Sequence, residues 1–185
     1  MAEKRISSES IKNLRKSNRL SQKLTIESLE TALLQLLENK SLKQLTISEL
    51  VSKAGVSRNA FYRNFTSKEA ILKGRFRRVI RRIMKQMQRF NLEEDRYQAW
   101  LFLFRESKKE AHLIRLAKEN QLDHWLNEMV LESLSKYQNH RKKELTSYSN
   151  FFWSTAILSV LIKWISDGMT IPEEEMAAID LPLLP

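Results

Sequence analysis

Residues 46–72, TISELVSKAGVSRNAFYRNFTSKEAIL, carry a succession of helix starts and stops that few backbones satisfy. Thr46 followed by Glu49 is a capping box, in which each side chain satisfies an otherwise orphaned amide at the helix start. Leu50, Val51 and Ala54 supply an apolar stripe. Gly55 stands where that helix must stop in a left-handed conformation, which costs glycine little. Val56 fills the angle between two helices, and Ser57 caps the next one. The pattern is a helix-turn-helix, a unit that places its second helix in a DNA major groove.

The rest of the chain is equally sparing with breakers. Three glycines and three prolines in 185 residues, with abundant Leu, Lys, Glu and Ser, predict an all-α protein. The absence of cysteine excludes disulfides, cysteine zinc sites and thiol redox sensing, and fits a reducing cytoplasm. The first 23 residues are charged and polar, with no secretory signal. The longest apolar stretch, 151–165, includes Ser154, Thr155, Ser159 and Lys163 and is too short to span a bilayer. A cytoplasmic protein without a membrane partner is expected.

Charge divides the chain. Residues 1–92 hold 21 Lys/Arg against 7 Asp/Glu, a net of +14, whereas residues 93–185 hold 11 against 15, a net of −4. Such asymmetry is expected when only one half meets a polyanion, and here the basic half contains the helix-turn-helix.

Apolar periodicity predicts about nine helices. Residues 1–20 are basic and weakly patterned and read as a flexible arm, suited to the DNA backbone or minor groove or simply frayed. The helix-turn-helix domain is expected over 21–67, with helices at 21–38, 47–54 and 57–65. On the last of these Phe61 and Phe65 share the core face, so Asn59 and Arg63 point away from it, with Ala60 and Tyr62 on the flanks. An amide, a guanidinium and a phenol around one small residue suit base edges and phosphates. A regulatory and dimerisation domain is expected over 68–185, joined by a helix at 68–90. That helix carries Arg75, Arg77, Arg78, Arg81, Arg82, Lys85 and Arg89, with no acid between Glu69 and Glu93. The run is either a solvated face, a source of positive potential behind the DNA-binding surface, or a partner for acids of the second domain. Further helices are predicted from Glu93-Glu94-Asp95 onward, at 108–119, 121–137 and 144–167, with a short last helix opened by Pro172. The helix at 144–167 is apolar on nearly every face from Phe151, which requires burial on all sides.

The run Ala54-Gly55-Val56-Ser57, then Phe61-Tyr62 with Phe65, then Ser67-Lys68-Glu69 and Leu72, resembles the N-terminal domain of the TetR/AcrR family of bacterial repressors. The likeness reaches back through the helix at 21–38, so it covers roughly the first half of the chain; the constellation is specific where a lone AGVS would not be. The resemblance implies that Ser48, Arg58, Asn59 and Arg63 lie nearest the base edges, and that Thr46, Tyr62, Asn64 and Lys68 hold phosphates. Helical geometry agrees for Asn59, Arg63 and Tyr62 but puts Arg58 nearer the core side. In TetR-like proteins the last two long helices form a four-helix bundle with a twin subunit, which here implies Phe151, Ile157, Leu161, Trp164, Ile165, Met176 and Ile179 as interface. The family's second domain often holds a small hydrophobic inducer. Phe90, Trp100, Phe104, Trp125, Tyr148 and Phe152 are candidates to line such a pocket, although each also suits a plain helical core.

The resemblance implies a repressor that dimerises on palindromic double-stranded DNA and is released by a hydrophobic effector. An adaptor whose C-terminal half binds a protein and no effector is the alternative. An enzyme is not expected. His112, His124 and His140 stand in no metal-ligand spacing, and neither a glycine-rich phosphate loop nor a nucleophile motif occurs, so no cofactor or metal is expected.

Overall fold

The computed structural model describes residues 8–92, 94–141, 146–179 and 181–183. Glu93 and the side chain of His140 lie outside the described residues. Among those residues there are nine helices and no strand: α1 Ser8–Leu37, α2 Ile47–Ala54, α3 Arg58–Asn64, α4 Lys68–Met87, α5 Arg96–Lys109, α6 Ala111–Glu119, α7 Asp123–Arg141, α8 Ser147–Ser166 and α9 Glu173–Ala178. The chain divides into two compact units between Leu72 and Lys73, inside α4.

The first unit is built on the expected punctuation. The Thr46 hydroxyl accepts the Glu49 N–H at 3.2 Å, and a Glu49 carboxylate oxygen accepts the Thr46 N–H at 2.9 Å, completing the capping box. Gly55 closes α2 at φ 65°, where a side chain would be strained. Its N–H and that of Val56 return to the carbonyls of Ser52 and Val51. Ser57 then caps α3 by accepting the Ala60 N–H at 3.1 Å. Leu29, Leu33 and Leu37 of α1 are buried with Leu42, Leu45, Leu50, Phe61 and Ile71. The helix expected from residue 21 starts at Ser8 instead, so the segment expected as a flexible arm is helical from there. Its Lys, Arg and Leu are good helix formers, no Gly or Pro interrupts them, and extending an existing helix avoids the cost of nucleation.

The second unit is assembled around aromatic rings. Trp100 stacks on Phe104 at 5.4 Å, and Trp164 meets Phe104 edge-on at 5.1 Å. Both indoles donate their N–H to carbonyls, Trp100 to Leu181 and Trp164 to Ile171, each at 2.8 Å. A buried indole requires such a partner. α5 begins at Arg96, after the acidic cluster; Asp95 instead accepts the Asn91 N–H at 2.9 Å. α9 is tied to α5 by ion pairs, Glu173 with Lys108 at 2.8 Å and Glu174 with Arg105 at 2.7 Å. These hydrogen-bonded cations hold both carboxyls below the ordinary range.

Three residues expected at a subunit interface lie inside this unit. Leu161, Trp164 and Ile165 are buried in its own core, Ile165 to 1% exposure, so they present no outward face. Ile157 and Met176 are partly buried against the same core. Phe151 and Ile179, by contrast, are 56% and 52% exposed. A helix apolar on every side does not reveal which side faces its own core.

Candidate nucleic-acid interface

α3 is short, and its single fully buried side chain, Phe61, fixes its rotation. The Tyr62 ring stands edge-on to Phe61 at 5.1 Å and remains 53% exposed. Arg58, Asn59 and Arg63 are exposed, and Ala60 is half-buried between them. The Arg63 Nε donates to the Asn59 carbonyl at 3.4 Å, and the Arg58 guanidinium reaches Ser48 Oγ on α2 at 3.4 Å. Both contacts are long and exposed, so the guanidiniums can exchange them for stronger acceptors such as guanine edges or phosphates. One surface therefore joins Ser48, Arg58, Asn59, Tyr62 and Arg63.

The remaining expected contacts are engaged within the unit. Asn64 donates its Nδ2 to the Ala60 carbonyl at 2.7 Å, while its buried Oδ1 has no partner among the described residues. The Lys68 ammonium donates to the carbonyls of Leu45 and, at 3.4 Å, of Lys43, which ties the start of α4 to the loop before α2. The Thr46 hydroxyl donates to Glu49 at 2.9 Å. Sequence reasoning assigned Thr46, Asn64 and Lys68 to phosphates; the structure gives each a local task that positions α2, α3 or α4. It also adds Lys40, whose ammonium bonds Glu49 across the capping box. That bond, with the Thr46 N–H and hydroxyl, holds the Glu49 carboxyl down to about 2. The nine-residue separation of Lys40 and Glu49 across a loop gave no periodic signal.

In the second unit a cavity of about 110 Å³ is lined by Phe76 and by aliphatic and methionine side chains, among them Ile83, Met87, Leu103, Leu126 and Leu161. Ser107 and Glu110 bring polar groups to its wall. None of the six aromatics proposed from sequence lines it. Trp100 and Phe104 are core. Phe90 packs on Phe102 at 5.6 Å beneath the Arg89 guanidinium. Trp125 lies under the Lys73 ammonium at 4.4 Å, and Tyr148 and Phe152 are exposed. Most aromatic rings at helical spacing were spent on packing, and the space left over is bounded by Phe76 and aliphatic side chains.

The arginine run resolves into several roles. Glu110 meets Arg75 at 3.2 Å and Arg82 at 2.9 Å, and Arg82 also meets Glu106 at 3.3 Å. The two carboxylates, one turn apart at the end of α5, thus hold two arginines two turns apart on α4. Arg89 covers the rings of Phe90 and Phe102. Among the described residues no three His, Asp or Glu cluster as metal ligands, and no helix is long and apolar enough to cross a membrane.

Residues 30–74 match the model for bacterial regulatory proteins of the tetR family, and residues 112–180 match that of a transcriptional regulator C-terminal region. Among solved structures, Lin0861 from Listeria innocua superposes with a TM-score of 0.75 at 15% identity, over 86% of this chain and 88% of that one. The fatty acid degradation regulator FadR from Bacillus halodurans gives 0.54 at 17% identity, over 84% and 91%. The dihydroxyacetone kinase operon activator DhaS gives 0.55 at 17%, over 84% and 90%. At such identities the likeness is one of fold. No curated protein matches in sequence.

Proposed function

The chain belongs to the TetR family of bacterial regulatory proteins, a family of helix-turn-helix transcription regulators; on that premise we propose that it is a homodimeric, operator-specific repressor released by a small apolar effector. The observation that carries the reading is the outward face of α3, where Arg58, Asn59, Tyr62 and Arg63 surround Ala60 with no acidic side chain within the helix. Arg63 and Asn59 read base edges, since a guanidinium pairs with guanine and an amide with adenine in bidentate geometry. Tyr62 and Arg58 contact the backbone, and Ser48 steadies Arg58.

One such helix spans only a few base pairs, so operator specificity calls for two copies on symmetric half-sites roughly 34–36 Å apart. α8 offers the surface. Tyr148, Phe152, Thr155, Ser159, Ile162 and Ser166 follow one another at alternating steps of four and three, the spacing of a helix-pairing seam, and none of them is buried. Phe151, beside Phe152 on the helix, extends the apolar area. This seam lies opposite Leu161 and Trp164; Thr155 meets Asn127 of α7 at 3.4 Å and Ser166 meets Lys118 of α6 at 3.0 Å, so self-association uses the exposed part of it, Tyr148, Phe152 and Ser159.

The cavity beside Glu110 supports an effector of a few heavy atoms, apolar along most of its length with one hydrogen-bonding group toward Ser107. Entry of such a molecule would press on the carboxylate that binds Arg75 and Arg82 of α4. The reading is tested by titrating a duplex carrying an imperfect palindrome from the DNA beside the coding region, against a scrambled duplex. Tight, salt-sensitive binding of the palindrome alone is expected. Equal affinity for both duplexes would overturn operator recognition. Thermal shift against acyl compounds, lipophilic cations and aromatic acids tests the effector, and a ligand that stabilises the protein should also weaken its hold on the palindrome.

A further inference from the structure

The helical segment that replaces the expected arm carries a feature unrelated to packing. Lys12, Arg15, Lys16, Arg19 and Lys23 stand at i, i+3, i+4, i+7 and i+11 on α1, and all five are exposed. At 3.6 residues per turn they fall within a sector about 100° wide and run along about 16 Å of helix axis. Lys23 has an acidic neighbour, Glu27 at 3.7 Å; none of the other four is ion-paired among the described residues. Ile26, Glu30 and Leu37, which are half-buried or buried, continue the same sector toward the C-terminus of α1. The row therefore lies on the side of the helix that meets the rest of its unit.

We infer that this basic row binds the sugar–phosphate backbone of duplex DNA flanking the half-site. The inference rests on the DNA-binding reading above and adds a second contact surface to it. Duplex DNA presents one phosphate per about 3.4 Å of axis on each strand, so a row about 16 Å long faces about five of them, as many as its own charges. The exposed apolar residues of the segment, Ile11, Leu14, Leu20 and Leu24, are spread over the half of the helix opposite the row, where Asn13, Ser17, Asn18 and Ser21 interrupt them. A helix that lies in a membrane surface needs a continuous apolar face, which this one lacks. Phosphate contacts carry no sequence information, so the row strengthens binding without choosing the site.

The test compares the full chain with a variant carrying Lys12→Gln, Arg15→Gln, Lys16→Gln, Arg19→Gln and Lys23→Gln. Glutamine keeps helix propensity, and the replaced side chains are outside the core, so an unchanged unfolding midpoint serves as the folding control. Each protein is titrated over a range of salt with the palindromic duplex, the same duplex extended by about one helical turn on each side, and a scrambled duplex of the longer length. The wild type should bind the extended duplex more tightly than the short one, and the variant should bind both alike. The variant's slope of log affinity against log salt should be shallower by about 0.9 per lost contact, up to about 4.5 per protomer, with affinity for the extended duplex reduced roughly tenfold or more. The ratio of palindrome to scrambled affinity should stay the same. Equal slopes for the two proteins would overturn this inference even where palindrome recognition persists. Lost palindrome recognition with the slope difference intact would instead overturn the operator reading and leave the row in place. A variant that loses binding to phosphatidylserine vesicles while keeping its DNA slope would assign the row to a membrane and overturn its assignment to DNA.

Discussion

Arg63 on α3 and Arg82 on α4 are the same residue on helices of the same protein, yet their surroundings are opposite. Arg63 reaches no acid and rests on a carbonyl of its own helix at 3.4 Å. Arg82 lies between Glu106 and Glu110 at 3.3 and 2.9 Å, and both carboxylates are almost wholly covered. The contrast extends to the units around them. Lys12, Arg15, Arg58 and Arg63 of the first unit are exposed and meet no carboxylate among the described residues, whereas Arg105, Lys108 and Lys163 of the second each meet one. Cations paired within the fold contribute to its stability. Cations left unpaired on one face raise a local potential that an external polyanion can satisfy.

The largest effects should come from the two cores, where the units are alike. Phe61→Ala and Phe104→Ala each remove a ring with 0% exposure and should cost about 3–5 kcal/mol in chemical denaturation. A loss below about 1 kcal/mol at either site would mean that the unit is packed differently. The arginines then separate the units. Arg63→Ala should leave the unfolding free energy within about 0.5 kcal/mol, yet relax discrimination at one base position by about 1–3 kcal/mol. Glu110→Ala takes the carboxylate from Arg75 and leaves Arg82 with Glu106 alone, and should destabilise the fold by about 1–2 kcal/mol. That is less than a fully buried pair would lose, because both arginine side chains are more than a third exposed. If Arg63→Ala destabilised the fold as much as Glu110→Ala, the contrast between outward and inward charge would fail.

Thr46→Ala should cost about 1 kcal/mol, the usual value of an N-cap, and should weaken DNA binding through the position of α2. Acid offers the mildest perturbation. The Glu49 carboxyl is lowered from 4.5 to about 2 in the fold, so its contacts with Lys40 and Thr46 contribute fully above 4.5 and are lost as pH falls toward 2. Glu49→Gln should therefore flatten the loss of stability across that window. An unchanged pH profile would show that these contacts do not outlast exposure to solvent.

How much of this was legible depends on the kind of signal each part carries. Thr46, Glu49, Gly55 and Ser57 announce themselves because caps and left-handed turns are local, set by residues three or four apart. The wheel position of Arg63 followed from Phe61 and Phe65 for the same reason. The cavity and the free face of α8 depend on which helices meet, and no local spacing encodes that. Leu161 and Ile162 are equally apolar in sequence, yet one is buried and the other is not. The Glu106–Glu110 clasp on Arg75 and Arg82 lay between two readings of a basic run until the partner helix was in place. The Lys12–Lys23 row was periodic all along, but a segment read as an unfolded arm has no faces on which to look for a stripe.

The central claim is that the outward face of α3 reads bases, and selecting bound sites from a random duplex pool with wild type and Arg63→Ala tests it most directly. The account predicts a palindromic consensus for the wild type, with two half-sites about one helical turn apart. Arg63→Ala should return the same palindrome with preference lost at one symmetric pair of positions. A pool that never enriches, or a consensus unchanged at every position with affinity uniformly lower, would contradict it.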